Sequence, residues 1–196
     1  MTVSRTICLG FLAVIAFGTF LLSLPFSIAA SEWTPYNIII ALFTSTSAVC
    51  VTGHIVVDTG TYFSPIGQAF ILALIQIGGL GYMTATTFLL LLLGRRFRLK
   101  DKMAIQQALD RDEIHGAAQL IRSIIGTTLF FELTGVFLLL LAFVPQHGLD
   151  YGLWLAIFHS VSAWNNAGFS VFSDSLMGFQ SSPLVNLVIP VLIIFG

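Results

Sequence analysis

The sequence predicts an all-α integral membrane protein built on a repeated unit of helix, re-entrant helix, loop and helix, with the second unit truncated. Three observations carry that reading. Hydrophobic residues make up 57% of the 196 residues and charged residues only 9%, against about 25% charged in an ordinary soluble domain, so a water-exposed surface has too few polar side chains to cover it. Charge-free apolar runs alternate with short polar stretches. Two of those stretches match each other at a fixed offset. The low charge also excludes a disordered chain, and a net charge of −1 leaves no basic excess for nucleic acid.

A helix crossing the hydrocarbon core needs about 20 apolar residues. No charged residue separates Arg5 from Glu32, Glu32 from Asp58, or Asp58 from Arg95. The first span is expected at about 7–30. Its end, Ser27-Ile28-Ala29-Ala30, has the look of a signal cleavage site, but the apolar run exceeds the roughly 7–15 residues of a signal core. The second span is expected at about 66–93, long enough to cross with tilt, and the third at about 123–144. A fourth begins near 183 and stops after 13 apolar residues, 184–196. That is too short to span, so the sequence reads as a piece cut inside a helix.

Seven of the eight lysines and arginines fall within 95–122, and the loops at 25–65 and 145–183 carry none. Positive charge marks the cytoplasmic side. The N-terminus and a 95–122 linker are therefore expected inside and the other loops outside. Residues 103–109 read as a cytoplasmic surface helix, and the basic linker is a candidate contact for a cytoplasmic partner. Cys8 and Cys50 form no metal or CxxC spacing and are expected to be buried thiols.

Residues 36–48 and 152–163 are apolar, and each lies between two spans on the same outer side. About 13 residues rise only about 20 Å, so each segment is expected to enter the bilayer and return. At an offset of 115, Phe43, Ser45, Ser47, Ala48 and Gly53 meet Phe158, Ser160, Ser162, Ala163 and Gly168. Downstream, Ser64-Pro65 and Ser182-Pro183 each open a helix, with proline suited to the first turn. The expected organisation is a first pore unit over 1–94, the linker 95–122, and a second pore unit over 123–196.

A helix entering from outside aims its partly negative C-terminus at the membrane middle, which favours cations. The returning strand can turn carbonyls toward an axis and replace an ion's hydration shell. Gly53 and Gly168 permit the backbone conformations this needs. Asp58 and Asp174 lie further out, so no acidic ring forms and a monovalent ion is favoured over magnesium or calcium. Glu132, an acid within the third span, needs a reason to be there. It is expected to pair with a basic or hydroxyl group, or to take part in gating or ion coupling. His159 is expected to be a hydrogen-bonded packing residue, and Gly78, Gly79 and Gly81 to allow close helix packing. Two competing functions are an intramembrane hydrolase using serines, His54, His159 and Asp58, and a non-transporting scaffold. The hydrolase lacks GxSxG, HExxH and paired aspartates; the scaffold needs no matched re-entrant segments.

The run Thr46-Ser47-Ala48-Val49-Cys50-Val51-Thr52-Gly53, followed by Val56-Val57-Asp58-Thr59, resembles the first pore region of the Trk/Ktr/HKT potassium transporters. Gln76-Ile77-Gly78-Gly79-Leu80-Gly81 and Gly94-Arg95-Arg96 resemble the second helix and its cytoplasmic end. Phe158-His159-Ser160-Val161-Ser162-Ala163-Trp164-Asn165-Asn166-Ala167-Gly168-Phe169 resembles the second pore region. The resemblance is to the TrkH/KtrB branch and covers essentially the whole sequence.

The resemblance implies a potassium-translocating subunit, not an enzyme, of the bacterial inner membrane, multi-pass with a cytoplasmic N-terminus. It implies four such units around one pore, of which this chain is the N-terminal half. It also implies a homodimer in full-length form and a cytoplasmic nucleotide-binding regulatory subunit. Potassium is the transported ion; no covalent cofactor is implied, and sodium or proton as a coupling or modulating ion stays open. Carried over by motif, Val51, Thr52, Gly53 and His54 form the first filter strand, and Asn166, Ala167, Gly168 and Phe169 the second. His54 departs from the apolar residue usual after the filter glycine, and the second strand lacks the threonine. A moderately selective filter is the expectation.

Overall fold

Residues 3–29, 35–93 and 113–196 are described by the computed structural model, and they form helices joined by loops that include short 3-10 turns at Pro25–Ser27 and Met177–Phe179. In chain order these are α1 (Val3–Leu22), α2 (Tyr36–Val49), the single turn α3 (Thr59–Tyr62), α4 (Pro65–Leu93), α5 (Glu113–His147), α6 (Leu149–Trp164) and α7 (Pro183–Phe195). Among the described residues there is no sheet, only one antiparallel bridge between Ile28 and Phe63. Ala29 N–H donates to Tyr62 O at 2.9 Å and Ser64 N–H to Ser27 O at 3.0 Å, which ties the end of α1 to the start of α4.

α5 is long and apolar enough to cross a membrane. The stretch Arg122–His147 runs 26 residues at a mean hydropathy of 2.1, and only 28% of its apolar window is buried inside the molecule. Glu132, Gly135, Leu139 and Phe143 line its buried face, while Phe130, Leu133, Phe137 and Leu141 are exposed. Both faces are predominantly apolar at helical spacing. A soluble surface helix would carry polar residues on the outer one. α1 does the same, exposing Leu9, Leu12, Phe17 and Phe20.

Contacts divide the chain into two units, Met1–Gly79 with Phe131–Gly196, and Leu80–Phe130. In the first, α1 packs on α2 and α6 on α7. The same contacts recur along it. A Cβ on Gly18 would meet Ser45 Oγ and the methyls of Leu74; one on Gly135 would meet Ser160 Oγ and the methyls of Leu192. Ser45 Oγ donates to Ile15 O at 2.9 Å, and Ser160 Oγ to Glu132 O at 2.7 Å. The last carbonyl of α2, Val49 O, lies against Gly78, and the last of α6, Trp164 O, against Gly196. These pairs are offset by 117, 115 and 118 residues in the first, middle and last helices.

Some expectations need correction. α1 stops at Leu22, short of residue 30, because Pro25 pushes Leu24 into an extended conformation (φ −70°, ψ 143°); Ser27 Oγ then satisfies Leu21 O at 2.7 Å. α5 begins at Glu113, inside the expected linker, since Ala, Gln, Leu and Arg over 117–122 are good helix formers. Cys8 and Cys50 are exposed rather than buried: Cys8 adjoins Leu9 on the uncovered surface of α1, and Cys50 sits at the open end of α2. Segment 94–112 lies outside the described residues. It holds most of the basic cluster, the Gly94-Arg95-Arg96 motif and the surface helix expected at 103–109.

Candidate functional site

α2 and α6 end in the same way. Cys50 is the C-cap of α2, with Val51 N–H bonding Ala48 O at 3.2 Å and Thr52 N–H bonding Ser47 O at 2.9 Å. Asn165 is the C-cap of α6, with Asn166 N–H bonding Ala163 O at 3.0 Å and Ala167 N–H bonding Ser162 O at 2.8 Å. This is the Schellman pattern, which consumes carbonyls a free helix end would leave unpaired and requires a left-handed residue after the cap. Glycine usually supplies it. Here Val51 does so at φ 54° and Asn166 at φ 56°. Asparagine tolerates that region, but for a β-branched valine it is a genuine outlier. Strain of this kind persists where the surroundings impose it and clusters at functional sites.

Two residues later the backbone is left-handed again, at Gly53 (φ 72°) and Gly168 (φ 69°). These glycines bring the two returning strands together. A Cβ on Gly53 would lie 2.7 Å from Ala167 O and 3.1 Å from Gly168 Cα, and one on Gly168 would lie 3.3 Å from Gly53 Cα. Along the second strand Asn166 and Gly168 are exposed, while Ala167 and Phe169 are buried. His54, at the outer end of the first strand, is exposed.

Glu132, 6% exposed, meets the cap residue that precedes the second strand. Its Oε1 accepts from Asn165 Nδ2 at 3.1 Å, and the Gln76 side chain also bonds its carboxyl. The partners are thus two carboxamides rather than the basic or hydroxyl group expected. Asn165 Nδ2 also faces Gln76 Oε1 at 3.2 Å and Val161 O at 2.9 Å. Its Oδ1 lies against Gly79 and, buried, has no hydrogen-bond partner among the described residues. The α4 run Gln76-Ile77-Gly78-Gly79 therefore touches the roots of both strands, Gly78 at Val49 and Gly79 at Asn165.

The outer ends are fastened separately. Asp58 caps α3 by accepting from Gly60 N–H at 2.9 Å. A hydrogen bond from Ser173, with others from Gly60 and Thr61, holds its carboxyl below the usual carboxylate range against the opposing effect of burial. Gln68 of α4 donates to Gly60 O and Phe63 O at 3.2 and 3.1 Å and accepts from Trp154 Nε1 of α6 at 2.8 Å. His159 is a buried packing residue hydrogen-bonded at both ring nitrogens. Asn165, Ser162 and the Gln68–Trp154 pair had no role assigned from the sequence. The available signal for Asn165 was its match at offset 115, which is Cys50: only the second stretch has an amide at the cap.

The TrkH family, described as cation transport protein, matches residues 10–196. The chain is 43% identical over 195 residues to the Ktr system potassium uptake protein B of Bacillus subtilis, covering 100% of this chain and 43% of that protein. It is 42% identical over 193 residues to the protein of the same name from Vibrio alginolyticus, covering 98% of this chain and 41% of that protein. It is 36% identical over 192 residues to the potassium/sodium uptake protein NtpJ of Enterococcus hirae, covering 98% and 42%. The chain thus spans less than half the length of these relatives. None of the three is named as an enzyme.

Proposed function

The chain belongs to the TrkH family of cation transport proteins, which are membrane proteins, and from that premise we propose that it is the potassium-translocating subunit of a bacterial Trk/Ktr-type uptake system. Potassium passes along a filter of backbone carbonyls from two returning strands, 51–54 and 166–169, each delivered by a re-entrant helix. The single observation that carries this reading is the meeting of Gly53 with Gly168 and the Ala167 carbonyl, both glycines being left-handed. Backbone oxygen is the ligand that a weakly hydrated monovalent cation accepts. Two strands supply oxygens on two sides only, so the complete pore takes further strands from the rest of the transporter. The names of the relatives speak of a Ktr system, which fits a chain that works with a partner subunit; in this proposal the partner is a cytoplasmic nucleotide-binding regulatory subunit, and the full-length chain forms a homodimer. Relatives are named for potassium and for potassium with sodium, which fits potassium as the transported ion.

The test is potassium-dependent growth of a bacterial strain stripped of its own uptake systems. The full-length transporter restores growth at low potassium, and rubidium uptake into proteoliposomes follows the same protein. Proteolytic activity without ion flux would replace this reading by the hydrolase. Neither activity would leave the scaffold.

The domain reading places 1–94 and 123–196 as pore units of the inner membrane, with the N-terminus and the 95–122 linker cytoplasmic. That follows from the seven basic residues of the linker. A cysteine in place of Gln107 is expected to resist a membrane-impermeant thiol reagent in intact cells, and one in place of Gln146 to react, each measured above the labelling of Cys8 and Cys50. The reverse pattern overturns the orientation and, with it, the direction of both re-entrant helices.

A further inference from the structure

The outer ends of the two strands are held differently, and we propose that Ser162 sets the ion selectivity of the second strand by turning the Phe169 carbonyl away from the ion path. The inference rests on the reading of 51–54 and 166–169 as filter strands. Ser162 Oγ donates to Phe169 O at 2.7 Å, and both residues are 3% exposed. A carbonyl aimed at a hydroxyl buried on the helix behind the strand is not aimed at an axis in front of it.

The next residue is fastened to the same helix. His159 Nδ1 lies 2.8 Å from Leu155 O, and Nε2 lies 3.0 Å from Ser170 Oγ. A carbonyl only accepts, so Nδ1 carries the proton and Nε2 accepts from the Ser170 hydroxyl. Ser170 Oγ accepts in turn from Phe172 N–H at 3.1 Å, and the His159 ring stacks on Phe172 with centroids 4.8 Å apart. Strand and α6 are locked together at two successive residues, 169 and 170.

The first strand has no such lock among the described residues. Ser47, the residue 115 before Ser162, receives the Thr52 hydroxyl at 3.0 Å, and that hydroxyl also lies 3.5 Å from Ser47 O on the helix; neither contact turns a carbonyl of the strand. His54 and Ile55, the counterparts of Phe169 and Ser170, are both exposed. The first strand is therefore free to present its outermost carbonyl to an ion, and the second is not. The outer ion site receives oxygens from fewer strands than the inner ones. It strips water less completely and discriminates less sharply between ions.

The experiment measures potassium and sodium uptake by the full-length transporter carrying Ser162→Ala, normalised to protein in the membrane. Without the hydroxyl, the Phe169 peptide is released to rotate toward the path and add an oxygen. The half-saturating potassium concentration is expected to fall, and the potassium-over-sodium ratio to rise, each about fivefold, the change that about 1 kcal/mol gives. Ser162→Thr keeps the hydroxyl and is expected to keep the wild-type ratio. If Ser162→Ala fails to reach the membrane, Ser162→Cys replaces it, with a weaker donor and a smaller shift in the same direction. An unchanged ratio in Ser162→Ala or Ser162→Cys, alongside an altered one in Gly168→Ala, overturns the role of Ser162 and leaves the filter reading standing. A fall in affinity and ratio together also overturns it, since the bond would then be a brace for the filter's shape. Unchanged discrimination in Ser162→Ala, Gly168→Ala and Gly53→Ala alike removes the filter reading itself.

Discussion

Gly53→Ala in the full-length transporter is expected to damage potassium discrimination more than Gly168→Ala, although the two glycines occupy matched positions. Both have left-handed backbones, φ 72° and 69°, where an added Cβ costs about 1–2 kcal/mol. Where the variant relieves that strain by leaving the ion-binding shape, the cost corresponds to roughly 5–30-fold in apparent potassium affinity. The surroundings then separate the two. At residue 53 the new Cβ would lie 2.7 Å from Ala167 O, a backbone atom that has no rotamer by which to move aside. At residue 168 it would meet only Gly53 Cα, at 3.3 Å, a contact that a few tenths of an ångström relieves. Gly53→Ala therefore pushes the two strands apart as well as straining its own. Potassium and sodium uptake curves for both variants, at matched membrane levels, check this. Equal losses would mean that the strands do not meet at these residues in the assembled transporter.

The contrast between the two glycines was not legible in the sequence, where they are equivalent partners in a repeat. The pattern did give the positions of most helices, because apolar runs, prolines and charges are local signals. Pro65 and Pro183 stand at the first turns of α4 and α7, and Gly53 and Gly168 both carry positive φ. Interactions over long sequence separation left no such mark. Gln76, Glu132 and Asn165 are each more than 30 residues from the next, and nothing in any one stretch shows that their side chains converge. Gly78 and Gly79 were legible as packing residues but not in what they pack against, the two helix ends that launch the strands. The exposed thiols were misread for a related reason. Burial habits are learned from proteins in water, and a membrane protein turns apolar side chains outward.

Glu132→Gln is expected to leave the transporter folded and active, whereas Glu132→Ala is expected to lower its thermal stability in detergent and its uptake together. The carboxyl oxygen Oε1 accepts a hydrogen bond from Asn165 Nδ2 at 3.1 Å, and the Gln76 side chain also bonds the carboxyl. Asn165 Nδ2 faces three acceptors with only two protons to give, and its Oδ1 is buried without a donor. Exchanging the amide nitrogen and oxygen would worsen matters, since the oxygen would then face three acceptors. The cluster is therefore short of protons. Glutamine at 132 keeps the shape and adds two donors, one of which can serve Gln76 Oε1. Alanine removes an acceptor from a buried amide, which costs about 1–3 kcal/mol, and leaves a void as well. Asn165 immediately precedes the left-handed Asn166, so a loosened cap loosens the second strand. The discriminating result is uptake by a stable Glu132→Gln protein. Wild-type uptake keeps Glu132 as a positioning residue for Asn165. Loss of uptake with stability intact would mean that an ionisable group is required at 132, and would move the residue from anchoring the strand to gating or ion coupling.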